Sequence, residues 1–266
     1  MTEQLQVLLT RLGFRFGING PHAARTMMVA ELRLLFGHTE QEASRNDYTM
    51  AVVEQNVLGK PTRKARALTL RHLASLYGLD TANPLFRALR RLWPLNESAQ
   101  PMLALAVALA RDPLLRATQD FILDLPIGGS LPRASVERFL GQACPDRFST
   151  ASLKSFAQNV AGTWTAAGLL HGHVRKVRCR PPAYPESLTL LLFLAYLSGR
   201  TGQRLFSSGW INLLGGSPDE LEELAQSASH RGLLVLMNAG GIKEVRFPGY
   251  LTPEEEKIRQ EVSHVV

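Results

Sequence analysis

FSTASLKSFAQNVAGTWTAAGLLHGHVRKVRCR, residues 148–180, is the stretch on which the reading of this chain turns. Leu153, Phe156, Val160 and Trp164 recur at intervals of three, four and four, the period of one helix face. Lys154, Ser155, Gln158, Asn159 and Thr163 fall on the other side, with no acid among them. Such side chains suit phosphates and base edges: lysine brings charge, amides bring donor–acceptor pairs, and hydroxyls serve as either. Ala167-Gly168-Leu169-Leu170 ends the helix. His171–Arg180 then interleaves Val174, Val177 and Cys179 with Arg175, Lys176, Arg178 and Arg180, and Pro181-Pro182 closes it as a short exposed strand. A helix, a glycine turn and a basic strand form the layout of a winged helix, which puts the helix in a major groove and the wing on the backbone. The alternative is an ordinary amphipathic helix beside an edge strand guarded by charge. Four basic residues within Arg175–Arg180 exceed what guarding an edge requires.

Charge away from this stretch points the same way. Of the formal +7, residues 1–216 hold 25 Lys/Arg against 14 Asp/Glu, and residues 217–266 hold 5 against 9. A basic body with an acidic end suits a polyanion partner. Lys60–His72 contains Lys60, Arg63, Lys64, Arg66 and Arg71 without one acid, so Arg63, Lys64 and Arg66 are candidates for tracking a phosphate backbone at a helix start. A solvated helix face is the alternative there. Arg87, Arg90 and Arg91 form a third cluster, but Phe86 and Trp93 nearby suggest guanidinium groups packed over rings.

Elsewhere the chain reads as helices punctuated by Pro and Gly. Ala23–Phe36 carries a helical period. Thr39 with Glu42 fits a capping box opening a helix towards Leu58, and Thr62 caps the next. Asn83-Pro84, Gln100-Pro101, Asp112-Pro113 and Pro132 open further helices, the third running Leu114–Leu125. After residue 182 come a buried helix at Ser187–Leu197, a helix start at Ser217-Pro218-Asp219-Glu220, and a hairpin of Leu233–Met237 with Lys243–Phe247 around Asn238-Ala239-Gly240-Gly241. Thr252–Val266 reads as an acidic helix or a loose tail. The expected fold is mainly α: a helical bundle with winged helix-turn-helix units and short β-hairpin wings. Three parts are expected: 1–144 as a helical domain, 145–182 as the winged-helix DNA-binding unit, and 183–266 as a helical, wing-like unit.

Several classes are disfavoured. The apolar runs Met102–Ala110 and Leu188–Leu197 fall short of the roughly 20 residues of a membrane span, and Glu3 interrupts any leader at Met1–Thr10. A cytoplasmic, non-membrane protein with reduced Cys144 and Cys179 is expected. His171-Gly172-His173 lacks nearby ligands for a metal site, and Asp120 with Asp124 reads as a surface pair. Gly128-Gly129-Ser130 and Gly215-Gly216-Ser217 lack a phosphate-loop lysine and read as turns. No catalytic residue, metal or cofactor is assigned, so the chain is not expected to be an enzyme.

The order of motifs resembles the BrxA family of BREX phage-resistance systems in bacteria. The resemblance is carried by VEQNVLGKPTRKARALTLRHL from Val53, ARDPLLRATQDFILDL from Ala110, and FSTASLKSFAQNVAGTWTAAGLL from Phe148, with a second wing-like unit at Glu220–Phe247. It implies a helical protein with winged-helix character that binds double-stranded DNA, works with other BREX defence proteins and is non-enzymatic. Pro126–Gly129 and Pro132 depart from the more acidic or aromatic segment usual in that family. A protein-interaction scaffold that docks through its acidic end, without binding DNA, is the rival expectation.

Overall fold

The computed structural model describes residues 2–143, 145, 147–239 and 242–265. The first half is helical: α1 (Glu3–Arg11), α2 (Val29–Gly37), α3 (Arg45–Thr49), α4 (Arg63–Tyr77), α5 (Pro84–Leu92), α6 (Gln100–Arg111), α7 (Pro113–Ala117) and α8 (Gln119–Leu123). Local chemistry explains most of these starts. The Thr62 hydroxyl accepts from Ala65 N at 3.1 Å, and Asn83 Oδ1 accepts from Leu85 N at 3.0 Å, leaving Pro84 at a position that needs no N–H. Asp112 caps α7 in the same way, accepting from Leu114 N at 2.9 Å.

Three expectations are corrected in this half. Thr39 caps nothing, because its hydroxyl donates back to Leu35 O at 2.9 Å. Ser44 is the cap instead, in a capping box with Asp47, and α3 continues as a widened turn over Met50–Glu54. The helix expected from Ala23 starts only at Val29, after a separate 3-10 turn at Pro21–Ala23. The helix expected over Leu114–Leu125 breaks at Thr118, whose fully buried hydroxyl donates to Leu115 O at 2.7 Å and accepts from the Trp164 indole at 3.1 Å.

The second half alternates helices with hairpins. In chain order come β1 (Ser130–Leu131), α9 (Arg133–Ala143), α10 (Thr150–Ala166), β2 (Leu170–His171), β3 (Lys176–Arg178), α11 (Pro185–Leu197), α12 (Gln203–Phe206), α13 (Pro218–His230), β4 (Val235–Ala239), β5 (Ile242–Arg246) and α14 (Pro253–Val265). The first three strands form one antiparallel sheet in the order β1-β3-β2, with Ser130 opposite Val177 and Leu170 opposite Arg178. β1 lies in the segment read as a glycine turn, so this sheet joins residues on both sides of position 144. β4 and β5 form a two-stranded antiparallel sheet that pairs Asn238 with Lys243 and Ala239 with Ile242. Asn238 and Ala239 are thus strand, not turn; the two glycines between the strands lie outside the described residues, as does Cys144.

α6 and α11 pack together at the centre, and Met102–Arg111 and Glu186–Ala195 are buried without interruption. That accounts for the two short apolar runs: both are helices surrounded on all faces. Among the described residues, no helix is long and apolar enough to cross a membrane. The core is continuous from Leu8 to Val262, and α14 packs on α1 and α11.

Candidate nucleic-acid interface

α10 is held by its apolar face. Phe156, Val160 and Trp164 are buried, and α9 and the turn Pro21–Ala23 pack against the helix. Ser149 caps its start, accepting from Ser152 N at 3.2 Å. Lys154, Ser155 and Gln158 stand exposed on the first half of the helix and have no hydrogen-bond or charge partner among the described residues.

The other two members of the predicted polar face serve the fold. Asn159 is half-buried and donates through Nδ2 to His22 O at 3.1 Å. Thr163 is fully buried in a chain with His22 and Asp112. Asp112 Oδ2 accepts from His22 N at 2.9 Å and from His22 Nδ1 at 2.8 Å, while Thr163 Oγ1 lies 2.8 Å from His22 Nε2 and accepts from Met27 N at 3.0 Å. The bond to the Asp112 carboxylate places a proton on Nδ1, and the contact between Nε2 and the threonine hydroxyl completes the chain. Burial pushes the Asp112 carboxyl up, but the hydrogen bonds from His22 outweigh it and hold the group below its ordinary value. An Asp–His–Thr order suggests a nucleophile, yet all three are shut from solvent and the hydroxyl is committed on both sides. The trio clips the Gly20–Met28 segment to α7 and α10. The sequence marks Asp112 only as the start of a helix and does not single out His22, because the two are 90 residues apart and match no motif as a pair.

The basic strand folds as a hairpin. Gly172, at φ +94°, allows the turn, where a Cβ would come 2.1 Å from Arg175 O. Val174 is 94% exposed at its tip. Arg175 is exposed and reaches Ser130 Oγ at 3.2 Å, and Lys176 donates to Gly172 O at 2.6 Å. Arg178 departs from expectation: it points inward, 5% exposed, donating to Leu169 O at 3.2 Å and to Cys179 O. Burial pushes its guanidinium below the ordinary value. Arg180 is spent differently, in a two-pronged pair with Glu220 at 2.5 and 3.1 Å. That pair, led by the Arg180 hydrogen bonds, pulls the Glu220 carboxyl down to about 2.

At the start of α4 only Lys64 stays exposed without a partner. Arg63 pairs with Glu54 at 2.6 Å, and Arg66 donates to Val53 O at 3.1 Å and Lys60 O at 3.3 Å, closing the loop before the helix. Arg90 lies over Phe36 at 4.2 Å and Arg91 over Tyr250 at 4.4 Å, while Arg87 pairs with Glu255. The third cluster does pack on rings, though on Phe36 and Tyr250 rather than Phe86 and Trp93.

Of the predicted residues, Lys154, Ser155, Gln158 and Lys64 are exposed without a partner among the described residues, and Arg175 and Lys176 each make one bond within the hairpin sheet; Arg63 and Arg180 are paired with carboxylates, and Asn159, Arg66 and Arg178 are bonded to backbone carbonyls. Asp120 and Asp124 are exposed, as are His171 and His173, and no group of three His, Cys, Asp or Glu suited to a metal exists among the described residues. No family model matches this chain, and no curated protein is a significant match to it.

Proposed function

We propose that this protein binds double-stranded DNA through a winged-helix unit, with α10 as the major-groove helix and the β2–β3 hairpin as the wing. The observation that carries the reading is the solvent face of α10, where Lys154, Ser155 and Gln158 stand exposed, acid-free and unpartnered in the first half of the helix. In winged and related helix-turn-helix proteins that half contacts base edges. The order helix, strand, helix, helix, strand, strand from α8 to β3, with β3 between β1 and β2, supports it. Arg175, Lys176 and the exposed Val174 supply a wing tip for the phosphate backbone or the minor groove. The reading is of a binding protein without catalysis. The resemblance to the BrxA family extends it to an accessory role beside other BREX defence proteins, tested by co-purification from cells carrying such a system.

A gel-shift titration at two salt concentrations tests DNA binding, and absence of a shifted duplex at low salt overturns it. Joint reversal of Lys154, Arg175 and Lys176 to Glu removes most affinity if α10 and the wing form the interface.

One observation favours the scaffold reading for the second half. α11–α12–α13–β4–β5 also sets three helices before a hairpin, without a strand corresponding to β1, and the exposed face of α13 carries Asp219, Glu220 and Glu223 whereas that of α10 carries Lys154, Ser155 and Gln158. An acidic helix repels phosphates, so this unit is assigned to a protein partner.

A further inference from the structure

An open cleft of about 720 Å³ is lined by the start of the Pro21–Ala23 turn, by α3 and by one side of α4. Arg15, Arg45, Arg71, His72 and Arg111 line it, and no Asp or Glu does. Its floor has an unusual arrangement, since Arg15 Nη1 and Arg111 Nε both donate to the same carbonyl, Ser75 O, at 3.1 and 3.3 Å. Two guanidinium groups thus meet on one neutral acceptor. Arg111 is 9% exposed, its Nη1 donates to Gly13 O, and its Nη2 has no partner among the described residues. Burial first, and then repulsion from Arg15, push Arg111 down to about 10. Of the lining cations only Arg45 has a carboxylate, Asp80 at 2.6 Å, at the rim. Arg71 is exposed and unpartnered, and His72 is pushed below its ordinary value by burial and by Arg25 and Arg71, leaving a neutral ring that can still donate a hydrogen bond.

Guanidinium groups with spare N–H donors, and no carboxylate other than Asp80 at the rim, suit a compact polyvalent anion. We propose that this cleft binds a phosphate group, with Arg15 and Arg111 as its floor and Arg71 and His72 as its rim. Two sources share that chemistry: a backbone phosphate of a bound duplex, or a free phosphorylated small molecule. The cleft does not depend on α10 binding DNA. Its edge nevertheless approaches α10, because the lining residue Asn19 accepts from Arg147, just before that helix, at 2.5 Å.

Thermal unfolding of the full chain with inorganic pyrophosphate, against sodium chloride at matched ionic strength, tests the site. The wild type should gain a few degrees in Tm once pyrophosphate reaches about ten times its Kd. The gain should disappear in Arg71→Glu and persist in Arg138→Glu, an equal charge change on the exposed side of α9. Arg15→Gln, if it folds, should lose the gain too. No gain beyond that in chloride, or an equal gain in Arg71→Glu, overturns the proposal. A labelled 20-base-pair duplex then separates the sources. If pyrophosphate displaces the duplex from the wild type more than from Arg71→Glu, the cleft grips the backbone; if the two ligands bind independently, it takes a free phosphorylated molecule. Failure of the duplex to bind at all counts against the DNA reading and leaves the pyrophosphate result standing.

Discussion

Asp112 shows how much one side chain can organise. Its two oxygens accept from His22 N and Nδ1 and from the first N–H groups of α7, and Gly20 sits so close that a Cβ there would lie 1.7 Å from Oδ1. Losing a helix cap costs about 1 kcal/mol, and each of the two buried His22 donors left unpaired about 1–3 kcal/mol, so Asp112→Ala should destabilise by roughly 3–7 kcal/mol in urea unfolding. Since the folded carboxyl lies below its ordinary value, its stabilisation is complete above the ordinary carboxylate range and is lost as pH falls through the lower folded value. Asp112→Asn should therefore flatten the acid limb of stability against pH; an unchanged limb would show that other carboxylates control acid unfolding. Arg178 and Arg175 make a sharper pair. Arg178→Gln removes a buried guanidinium from two carbonyls and should lower Tm, whereas Arg175→Gln should leave Tm unchanged and weaken duplex binding. The reverse result would place Arg178 on the DNA. Sequence spacing could not separate the two, because a three-residue strand between a turn and two prolines has no period long enough to show which face is buried.

At the scale of elements, α10 was legible from its apolar spacing, and its buried and exposed faces match that spacing at Phe156, Val160, Trp164, Lys154 and Gln158. Thr163 escaped it because threonine is acceptable on either face, and only His22, distant in the chain, draws it inward. β1 escaped for another reason: a two-residue strand beside glycines has no alternation, and only its pairing with β3 makes it a strand. The hairpin that β1 supports depends on Gly172. Gly172→Ala should disorder this hairpin and, if the proposed interface holds, weaken duplex binding with little loss of global Tm, measured by amide exchange at residues 170–178. α13 gives the complementary case. Changing Asp219 and Glu223 to Asn and Gln should leave duplex affinity within about threefold, since that helix is assigned away from the DNA; a large gain would mean that its charge was repelling a nearby backbone.

Across the whole molecule, charge sets the expected response to salt. If Lys64, Lys154, Arg175 and Lys176 each neutralise one phosphate, log affinity should fall with log salt at a slope of about −3.6, a loss on the order of a hundredfold between 50 and 200 mM. A slope near zero at measurable affinity would exclude this electrostatic interface. By itself, the sequence determined the mainly helical class, the helix starts at Thr62, Asn83, Asp112 and Ser217, and the two buried central helices. Each of these follows from local capping chemistry or an unbroken apolar run. It also located the basic segments. Only the tertiary structure decided which cations remain available, because that depends on whether a carboxylate or carbonyl from a distant element lies within reach: Glu220 for Arg180, Leu169 O for Arg178, and none for Lys154. The α10 to β3 stretch keeps its helix and its hairpin. Its predicted DNA face, however, narrows to Lys154, Ser155 and Gln158 on the helix and Arg175 and Lys176 on the hairpin, for Arg178 is buried, Asn159 is half-buried on His22 O, and Arg180 is neutralised by Glu220.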